Sequence, residues 1–463
     1  MARETPSQPT QCADGTTMTD VCDRLPALAG TVLPPDDAWR EELHNEVHAR
    51  PPARIRLPAL VVYVAVLNDG VTREAECEHL RRLPGQDALT PQDLQGNFLR
   101  IRLAGHTLKW ERHSEFTRYS LVQSLPDRAR LGSAEPELLS ALSIEAAWLR
   151  AIPGRTVAAI KLALLDGDVE DAQDVLAAGR RWFGGRSGVA SRVGQGTTFA
   201  MTDFQLRASG FERVLVVTGA STSPTRVGRI TQRLLDLETY RLMALRGLPV
   251  AKALSPMLTE AESTLAQITA RLEDAQVSDQ ALLDTLTALA ARVERATAEH
   301  GYRFSATAAY DTIVRQRISE LREAPLPGMQ TIGEFMQRRL SPAIATVAAT
   351  AQRLASLSQR IERAGSLLRT RVDIAREAQN LQLLAKLTRG QELQLRLQST
   401  VEGLSIAAIS YYVVSLLLYG AKAAKAAGLP LNPEFAAGAL VPVVVWSVWR
   451  ATRRIHRALH STP

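Results

Sequence analysis

Two long runs without a charged residue near the C-terminus constrain the fold of this chain more than any other feature. The runs cover residues 404–420 and 435–449. A helix that crosses the ~30 Å core of a bilayer needs roughly 17–25 apolar residues, and flanking alanines with Lys422 and Arg450 extend both runs. Aromatic residues suited to a membrane interface occur in both: Tyr411, Tyr412, Tyr419, Trp446 and Trp449. We therefore expect a two-helix transmembrane hairpin over 401–449 rather than a buried helix pair.

Basic residues predict how this hairpin is oriented. Its outer ends carry arginines at 389, 396, 450, 453, 454 and 457. The connecting segment 421–434 offers only Lys422 and Lys425 against Glu434. The positive-inside rule therefore predicts both termini in the cytoplasm, with residues 450–463 as a basic cytoplasmic tail of a bacterial inner-membrane protein.

Length and composition restrict the remainder of the chain. At about 150 residues per domain, 463 residues predict two or three units. Residues 1–36 are rich in Pro, Thr, Asp and Gly, so we expect a disordered segment without a signal peptide. Three cysteines are too few for a disulfide framework or a zinc cluster. The net charge of +7 owes much to the terminal arginines. A nucleic-acid partner is not predicted, because the sequence has no basic stripe with interleaved aromatic residues.

Residues 37–222 are predicted to form an α+β domain in the cytosol. The run Ala59–Leu67 is continuous and β-branched, which is typical of a strand buried on both faces. Apolar and polar residues alternate over 98–103 and 107–112 around Gly105, which is typical of a hairpin with one wet face. Further strands are expected at 116–122, 157–165, 198–206 and 211–217, and helices at about 71–82, 134–150 and 168–183. The simplest architecture is a mixed sheet with helices packed on it.

Residues 223–400 are predicted to be helical and to end in a long stalk. Apolar residues recur every three or four positions over 226–244, 249–275 and 278–300. A longer seam of this kind comprises Leu340, Ile344, Val347, Ala351, Leu354, Leu357, Ile361, Ala364, Leu368, Val372 and Ala375. No proline occurs between Pro342 and Pro430, so one helix can run from the seam into the first span. Its apolar stripe, typical of a coiled coil, needs partners from its own chain or from other subunits.

This order of elements, over roughly residues 60–460, resembles the CorA-type divalent cation transporters. The resemblance implies a homo-oligomer in which the first span lines a pore with a Gly-Met-Asn signature at its outer end. The corresponding place reads Tyr419-Gly420-Ala421-Lys422, so only Tyr-Gly is kept, and Lys422 would present a ring of positive charge. Ion transport is the leading expectation. A non-conducting scaffold or sensor whose cytosolic domain binds a partner is the alternative.

A second resemblance rests on motifs spread over most of the chain. They are Asn45–Pro51 (Asn-Glu-Val-His-Ala-Arg-Pro), Thr202–Phe204, Gly228–Leu235, Glu238–Arg241, Gln379–Leu384 and Leu397–Leu404. These motifs are similar to those of a family of uncharacterised bacterial membrane-anchored proteins. The resemblance implies a membrane anchor and no particular activity.

Two groups of residues are candidate ligands for a divalent cation. His44 and His48 are four residues apart, which places both on one helix face, but Glu46 points to the other face and Pro51 ends the helix. Asp166 and Asp168 belong to an acidic segment that either begins a helix or holds a regulatory cation between subunits. No cofactor is identified.

Two other segments resemble nucleotide-binding loops only superficially. Val214–Ser221 runs from a strand into Thr-Gly but lacks the further glycines of a dinucleotide fold, so Ser223 and Pro224 are expected to begin a helix. The glycines of 184–196 are followed by no Gly-Lys-Ser/Thr and predict a long turn. Because no nucleophile, base and orienting group can be matched, we expect no enzyme activity.

Overall fold

The computed structural model describes residues 37–40, 43–44, 53–132, 135, 142–185, 188–219, 221–272, 278–427 and 432–460. The predicted disordered segment 1–36 and the motif Asn45–Pro51 lie outside the described residues. The chain divides into two compact units. The first combines the described residues up to Pro256 with Ala298–Arg353, and the second combines Met257–Thr297 with the described residues from Leu354 onward.

A mixed sheet forms the centre of the first unit, as predicted. Its strands are β1 (Ala59–Leu67), β2 (Phe98–Leu103), β3 (His106–Arg112), β4 (Phe116–Ser124), β5 (Arg155–Asp166), β6 (Val189–Val193), β7 (Thr198–Thr202) and β8 (Glu212–Thr218). Within the described residues these eight strands lie in the order β2-β3-β4-β1-β5-β8-β7-β6. The pair β5–β8 is parallel, and the other pairs are antiparallel.

Helices cover both faces of this sheet. In chain order they are α1 (Arg73–Arg81), α2 (Ala146–Arg150), α3 (Ala172–Trp182) and α4 (Pro224–Leu245), and the helical part of the chain continues with α5 (Gly247–Arg271), α6 (Asp279–Leu321), α7 (Ile332–Arg339), α8 (Ser341–Ala426) and α9 (Pro433–His460). Every residue of β1 is buried, which confirms the strand predicted from its continuous apolar run. Ser223 caps α4 and Pro224 occupies its first turn, also as predicted.

The two faces of the sheet bury separate cores. Leu60 and Trp110 lie in one core with α1, whereas Val61 and Ile160 lie in the other with residues of α4. Successive side chains of a strand point to opposite faces, so β1 contributes to both cores by alternation. The second core also contains Leu340 and Ile344 from the start of the predicted seam.

Several predicted boundaries in the first unit are wrong. The strand expected at 198–206 ends at Thr202, where Asp203 and Phe204 turn the chain away. The expected long turn between glycines contains a strand, Val189–Val193, which pairs with β7. Of the helix expected at 134–150, only Ala146–Arg150 is helical among the residues that the structure describes. The helix expected to end at His300 continues to Leu321 because its apolar spacing continues.

The second unit contains a bundle of three helical segments. Buried apolar residues come from α5 (Leu258, Ala261, Leu265, Ile268), from α6 (Leu282, Leu286, Leu289, Val293, Ala296) and from α8 (Leu354, Leu357, Ile361, Ala364, Leu368). Polar contacts join the same segments, with Arg292 bound to Glu260 at 2.9 Å and Ser358 Oγ 2.6 Å from Glu294 Oε1. The seam up to Leu368 is therefore buried by its own chain.

Helix α8 continues far beyond this bundle. Residues 373–401 are all exposed, although ten large apolar residues occur over 374–404, each 57–68% exposed. These are Ile374, Leu381, Leu383, Leu384, Leu387, Leu393, Leu395, Leu397, Val401 and Leu404. The helix has 86 residues and includes the first uncharged run, so the prediction that one helix runs from the seam through this run is confirmed.

The two C-terminal helices are long and apolar enough to cross a membrane. Windows of 18 residues reach a mean hydropathy of 1.8 in the helical stretch that ends at Ala426 and 1.4 in Pro433–Arg454. The connection between them is shorter than the expected 421–434, because α8 continues to Ala426 and α9 begins at Pro433. Arg450 and Arg453 lie over the rings of Trp446 and Trp449, at 4.9 and 4.1 Å from the ring centroids.

Candidate functional site

A cavity lined by basic side chains lies between one face of the sheet and helix α4. We call it the basic cavity. Alternation in β2 places Arg100 and Arg102 on this face, where they are paired in register with Lys109 and Thr107 of β3. The next strand continues the row, because Lys109 is opposite Ser120. The polar residues of the predicted β-hairpin, strands β2 and β3, therefore form the floor of a cavity.

Helix α4 forms the opposite wall. Gly228, Thr231, Gln232 and Leu235 line the cavity, and their spacing of three and four residues places them on one helix face. All four belong to the motif Gly228–Leu235. A Cβ atom on Gly228 would lie 1.7 Å from the carbonyl oxygen of Ala53, so glycine is required for this close approach.

The segment that approaches Gly228 supplies the third wall. Ala53, Arg54 and Ile55 line the cavity, and the Ile55 amide donates to the carbonyl of Pro224 at 3.1 Å. The cavity has a volume of about 450 Å³. Its cationic side chains are Arg54, Arg100, Arg102 and Lys109, and no acidic side chain lines it among the described residues. A space of this size with several convergent polar groups is typical of a small-molecule site.

Buried charges beneath the cavity hold its floor in place. Glu111 is fully buried and accepts hydrogen bonds from Arg118 Nε at 2.5 Å and Lys109 Nζ at 3.0 Å. Arg118 also binds Asp236 of α4 at 2.5 Å, and Lys109 donates to Gln232 at 3.0 Å. These bonds tie two strands to the helix, so the positions of Lys109 and Gln232 are fixed by their partners.

The pKa values of this network follow from burial and ion pairing. Burial raises the pKa of Glu111, but the positive charges of Arg118 and Lys109 outweigh it and lower that pKa to about 2. Burial lowers the pKa of Lys109, and Glu111 partly offsets this effect. Glu111 is therefore charged at neutral pH and neutralises part of the local positive charge.

A second cluster brings together two of the motifs. Glu238 and Arg241 are hydrogen-bonded, and Arg241 lies 3.8 Å from Glu212 and 5.3 Å from the ring centroid of Phe204. Burial, followed by the neighbouring Glu238 carboxylate, raises the pKa of Glu212 to about 8. Asp203, next to Phe204, accepts a hydrogen bond from Arg207 at 2.5 Å. Because Glu212 is buried beside the Glu238 carboxylate, its raised pKa means that it holds its proton at neutral pH.

The structure places the candidate metal ligands as follows. His44 is exposed, and His48 lies outside the described residues. Asp166 ends β5 and is exposed, and Asp168 accepts a hydrogen bond from the amide of Glu170 at 2.8 Å. Across the described ranges, no three His, Cys, Asp or Glu side chains are grouped as a metal ion requires. A divalent cation site at these positions stays a prediction that needs ligands from another subunit or from residues not described.

The candidate pore-mouth residues lie within a helix. Tyr419, Gly420 and Lys422 belong to α8, which ends four residues after Lys422 at Ala426. The Tyr419 side chain is 70% exposed, and Lys422 Nζ lies 6.0 Å from its ring centroid. Their role in a pore stays a prediction.

Sequence reasoning did not identify the basic cavity as a site. The alternation of Arg100 and Arg102 in β2 points toward this cavity, but it predicts only the solvent-exposed face of a β-hairpin. The i, i+3, i+4, i+7 spacing in the motif Gly228–Leu235 was a second signal. Neither pattern indicates by itself that the strand and the helix meet across one cavity.

These features define an α+β protein with a mixed sheet, one very long helix and two C-terminal helices able to cross a membrane. The chain belongs to the family described as Protein of unknown function (DUF3422), whose profile matches residues 35–459. No curated protein and no solved structure matches the chain.

Proposed function

We propose that this chain is an oligomeric, membrane-anchored protein with a layout like that of the CorA-type transporters. The observation that supports it is the unbroken helix Ser341–Ala426, which begins beside the sheet domain and ends in the first candidate span. A continuous helix of this kind connects the sheet domain along the chain to the proposed membrane segment.

Self-association is assigned to the exposed part of α8. At 100° per residue, six large apolar residues fall within one arc that continues the buried seam: the half-buried Val372 and the exposed Leu383, Leu393, Leu397, Val401 and Leu404. An isolated helix with exposed leucines is marginal in water, and membrane insertion would hold several copies parallel with identical residues at one height. A second copy of this chain is therefore the partner proposed for the stripe.

Charge insertion on the stripe tests this proposal. Leu397→Glu would place a carboxylate in the subunit contact, whereas Ala385→Glu adds the same charge about 120° around the helix. Light scattering of the full chain in detergent is expected to give a multiple of the 50.5 kDa monomer for the native chain and for Ala385→Glu. It is expected to give a smaller mass for Leu397→Glu. A monomeric native chain, or equal masses for all three proteins, would contradict self-association through this face.

The proposed topology places both termini in the cytoplasm, with the membrane being the bacterial inner membrane. It rests on the arginines outside the two helices. Single cysteines introduced at residues 427 and 460 of a cysteine-free chain would report it. A membrane-impermeant thiol reagent applied to intact cells is expected to label residue 427 and not residue 460. The reverse pattern would refute the orientation.

Ion transport is the activity proposed for such an assembly, and a non-conducting scaffold or sensor is the alternative. Several copies of Lys422 at one pore mouth would repel cations, since like charges within ~8 Å interact strongly at physiological salt. Lys422→Asn removes this charge and supplies an amide. In liposome flux assays, the substitution is expected to raise divalent cation flux if the first helix lines a pore. No flux from either protein would support the anchor, and a fall in divalent cation flux would contradict the role of Lys422 as a barrier.

A further inference from the structure

We propose that the basic cavity binds a small molecule that carries a phosphate group. The proposal is independent of membrane anchoring and of transport, because every residue that it uses belongs to the first unit. It begins from the convergence of three separate chain segments on one space.

The cations that line the cavity reach it from different directions. Arg102 comes from β2, Lys109 from the adjacent β3, and Arg54 from the segment packed on Gly228 of α4. Arginine binds phosphate oxygens through paired N–H donors, and lysine contributes a point charge. A phosphate group has oxygens on all sides and suits donors placed around it better than a planar carboxylate does.

The charge of the cavity is only partly balanced by the protein. Glu111 and Asp236 together balance Lys109 and Arg118, since Glu111 pairs with both cations and Asp236 pairs with Arg118. Arg54 and Arg102, in contrast, make no ion pair with any described residue and are exposed. An anion that enters the cavity therefore meets positive charge that is not already compensated within the described chain.

Neutral donors complete the polar lining. Thr107 and Ser120 lie beside Lys109 on the floor, and Gln232 faces them from α4. Hydroxyl and amide groups of this kind orient a phosphate that cations attract. Lys109 and Gln232 are held by a hydrogen bond of 3.0 Å, so part of the lining is arranged before any ligand binds.

The volume indicates a ligand larger than inorganic phosphate. About 450 Å³ lies within the 300–1,000 Å³ range of organic ligand sites. Ile55, Val61, Val122 and Leu235 supply an apolar part of the lining. The ligand is therefore a phosphorylated organic molecule, either a soluble metabolite such as a nucleotide or the headgroup of a phospholipid.

Isothermal titration calorimetry on the full chain in detergent tests the proposal. The probes are inorganic phosphate, ADP and dioctanoyl phosphatidate below its micelle concentration. We expect ADP or the phosphatidate to bind at least tenfold more tightly than inorganic phosphate, and to bind more weakly as salt increases. Tighter binding of ADP assigns a soluble source to the ligand, and tighter binding of phosphatidate assigns a lipid source. Both results support a phosphate site.

Three variants connect binding to the cavity. Arg102→Gln and Arg54→Gln each remove one charge from different walls and are expected to raise the dissociation constant at least tenfold. Arg150→Gln removes an equally exposed arginine that does not line the cavity and is expected to leave it unchanged. Thermal unfolding without ligand establishes that each variant is folded. Because Arg54 and Arg102 belong to different chain segments, weaker binding by both variants cannot be explained by a local distortion of one segment.

Two results would overturn the proposal. The first is that none of the three probes binds the native chain at low salt. The second is that the best probe binds Arg102→Gln and Arg54→Gln as tightly as the native chain. Equal affinity for inorganic phosphate and for both organic probes would refute the organic part of the assignment.

Discussion

The exchange of Glu111 for glutamine tests the electrostatic basis of the cavity floor. Glu111 has no exposed surface and accepts hydrogen bonds from Arg118 at 2.5 Å and Lys109 at 3.0 Å. Glutamine keeps the size and one acceptor oxygen but removes the negative charge. Lys109 then loses its ion-pair partner, and Arg118 retains only Asp236. Breaking a buried ion pair by removing one partner is strongly destabilising, because the remaining charge stays buried without compensation.

The magnitude follows from the pKa of Glu111. Burial acts to raise this pKa, but Arg118 and Lys109 lower it from 4.5 to about 2, so the folded state binds the proton more weakly than the unfolded chain does. The difference between the unfolded and folded pKa values of Glu111 corresponds to roughly 3 kcal/mol of stability at neutral pH, at 1.36 kcal/mol per pKa unit. This contribution is present above pH 4.5 and is lost as the pH falls through the folded value of about 2.

Thermal unfolding at two pH values measures this contribution. At pH 7 we expect Glu111→Gln to lower the Tm of the sheet domain by roughly 6–12 °C, since 1 kcal/mol shifts the Tm of a large domain by about 2–4 °C. At pH 3 the difference in stability from the native chain should fall to less than about half of its pH 7 value. The exposed Glu170→Gln is the matched control, with no expected change. An unchanged Tm at pH 7, or a difference of the same size at both pH values, would refute the assignment of charge to Glu111.

Three further predictions concern other buried positions. Glu212→Gln should raise the Tm at pH 8 and flatten the pH dependence of the Tm. The reason is that the folded pKa of Glu212, about 8, makes native stability fall as the pH rises from 4.5 toward 8. A Tm profile of the variant parallel to that of the native chain would contradict this. Gly228→Ala should lower the Tm, since the clash with Ala53 costs roughly 1–3 kcal/mol and exceeds the gain in helix propensity. The control Gly365→Ala should not lower the Tm, because its Cβ would make ordinary contacts at 3.6 Å. Leu354→Glu should destabilise the helical bundle by roughly 3 kcal/mol or more, since Leu354 is only 3% exposed, and calorimetry that shows an unaltered transition would contradict its burial.

The seam of α8 shows what periodicity can and cannot predict. Three-and-four spacing of apolar residues identified a helix and the face that is buried. It could not name the partner, because the same spacing serves an intramolecular bundle and a subunit contact equally well. Leu354 and Leu368 pack within their own chain, whereas Leu397 on the same stripe is 68% exposed. Only long-range packing distinguishes the two parts of one continuous pattern.

Strand β6 was missed for a related reason. Val189–Val193 has five residues, lies between glycine-rich segments and is the edge strand beside β7 in the described sheet. A short run of this kind carries too few residues for a clear alternation. Its stability comes from distant contacts, such as the 2.9 Å bond from the amide of Ile332 to Ser191 Oγ and the backbone bonds between Arg192 and Ala324.

The basic cavity was only half visible in the sequence. Alternation in β2 and β3 correctly gave the strands and the side of the sheet that carries Arg100, Arg102 and Lys109. The prediction that this face of the sheet is exposed to solvent is wrong in part, because α4 covers it and Lys109 is only 6% exposed. Which helix covers a sheet is decided by topology and by local fit, here by Gly228, and neither is encoded in a strand's own pattern.

The structure brings together Thr202–Phe204 and Glu238–Arg241, two segments more than thirty residues apart in the sequence. Phe204 adopts a positive φ of 49°, which is unfavourable for an aromatic residue and persists only when the surroundings enforce it. One face of its ring stacks on Phe335 at 4.6 Å, and the guanidinium of Arg241 lies 5.3 Å from its centroid. Arg241 is in turn held by Glu238. Truncation of the aromatic ring would therefore remove one contact of Arg241, the guanidinium that pairs with Glu238 and lies 3.8 Å from Glu212.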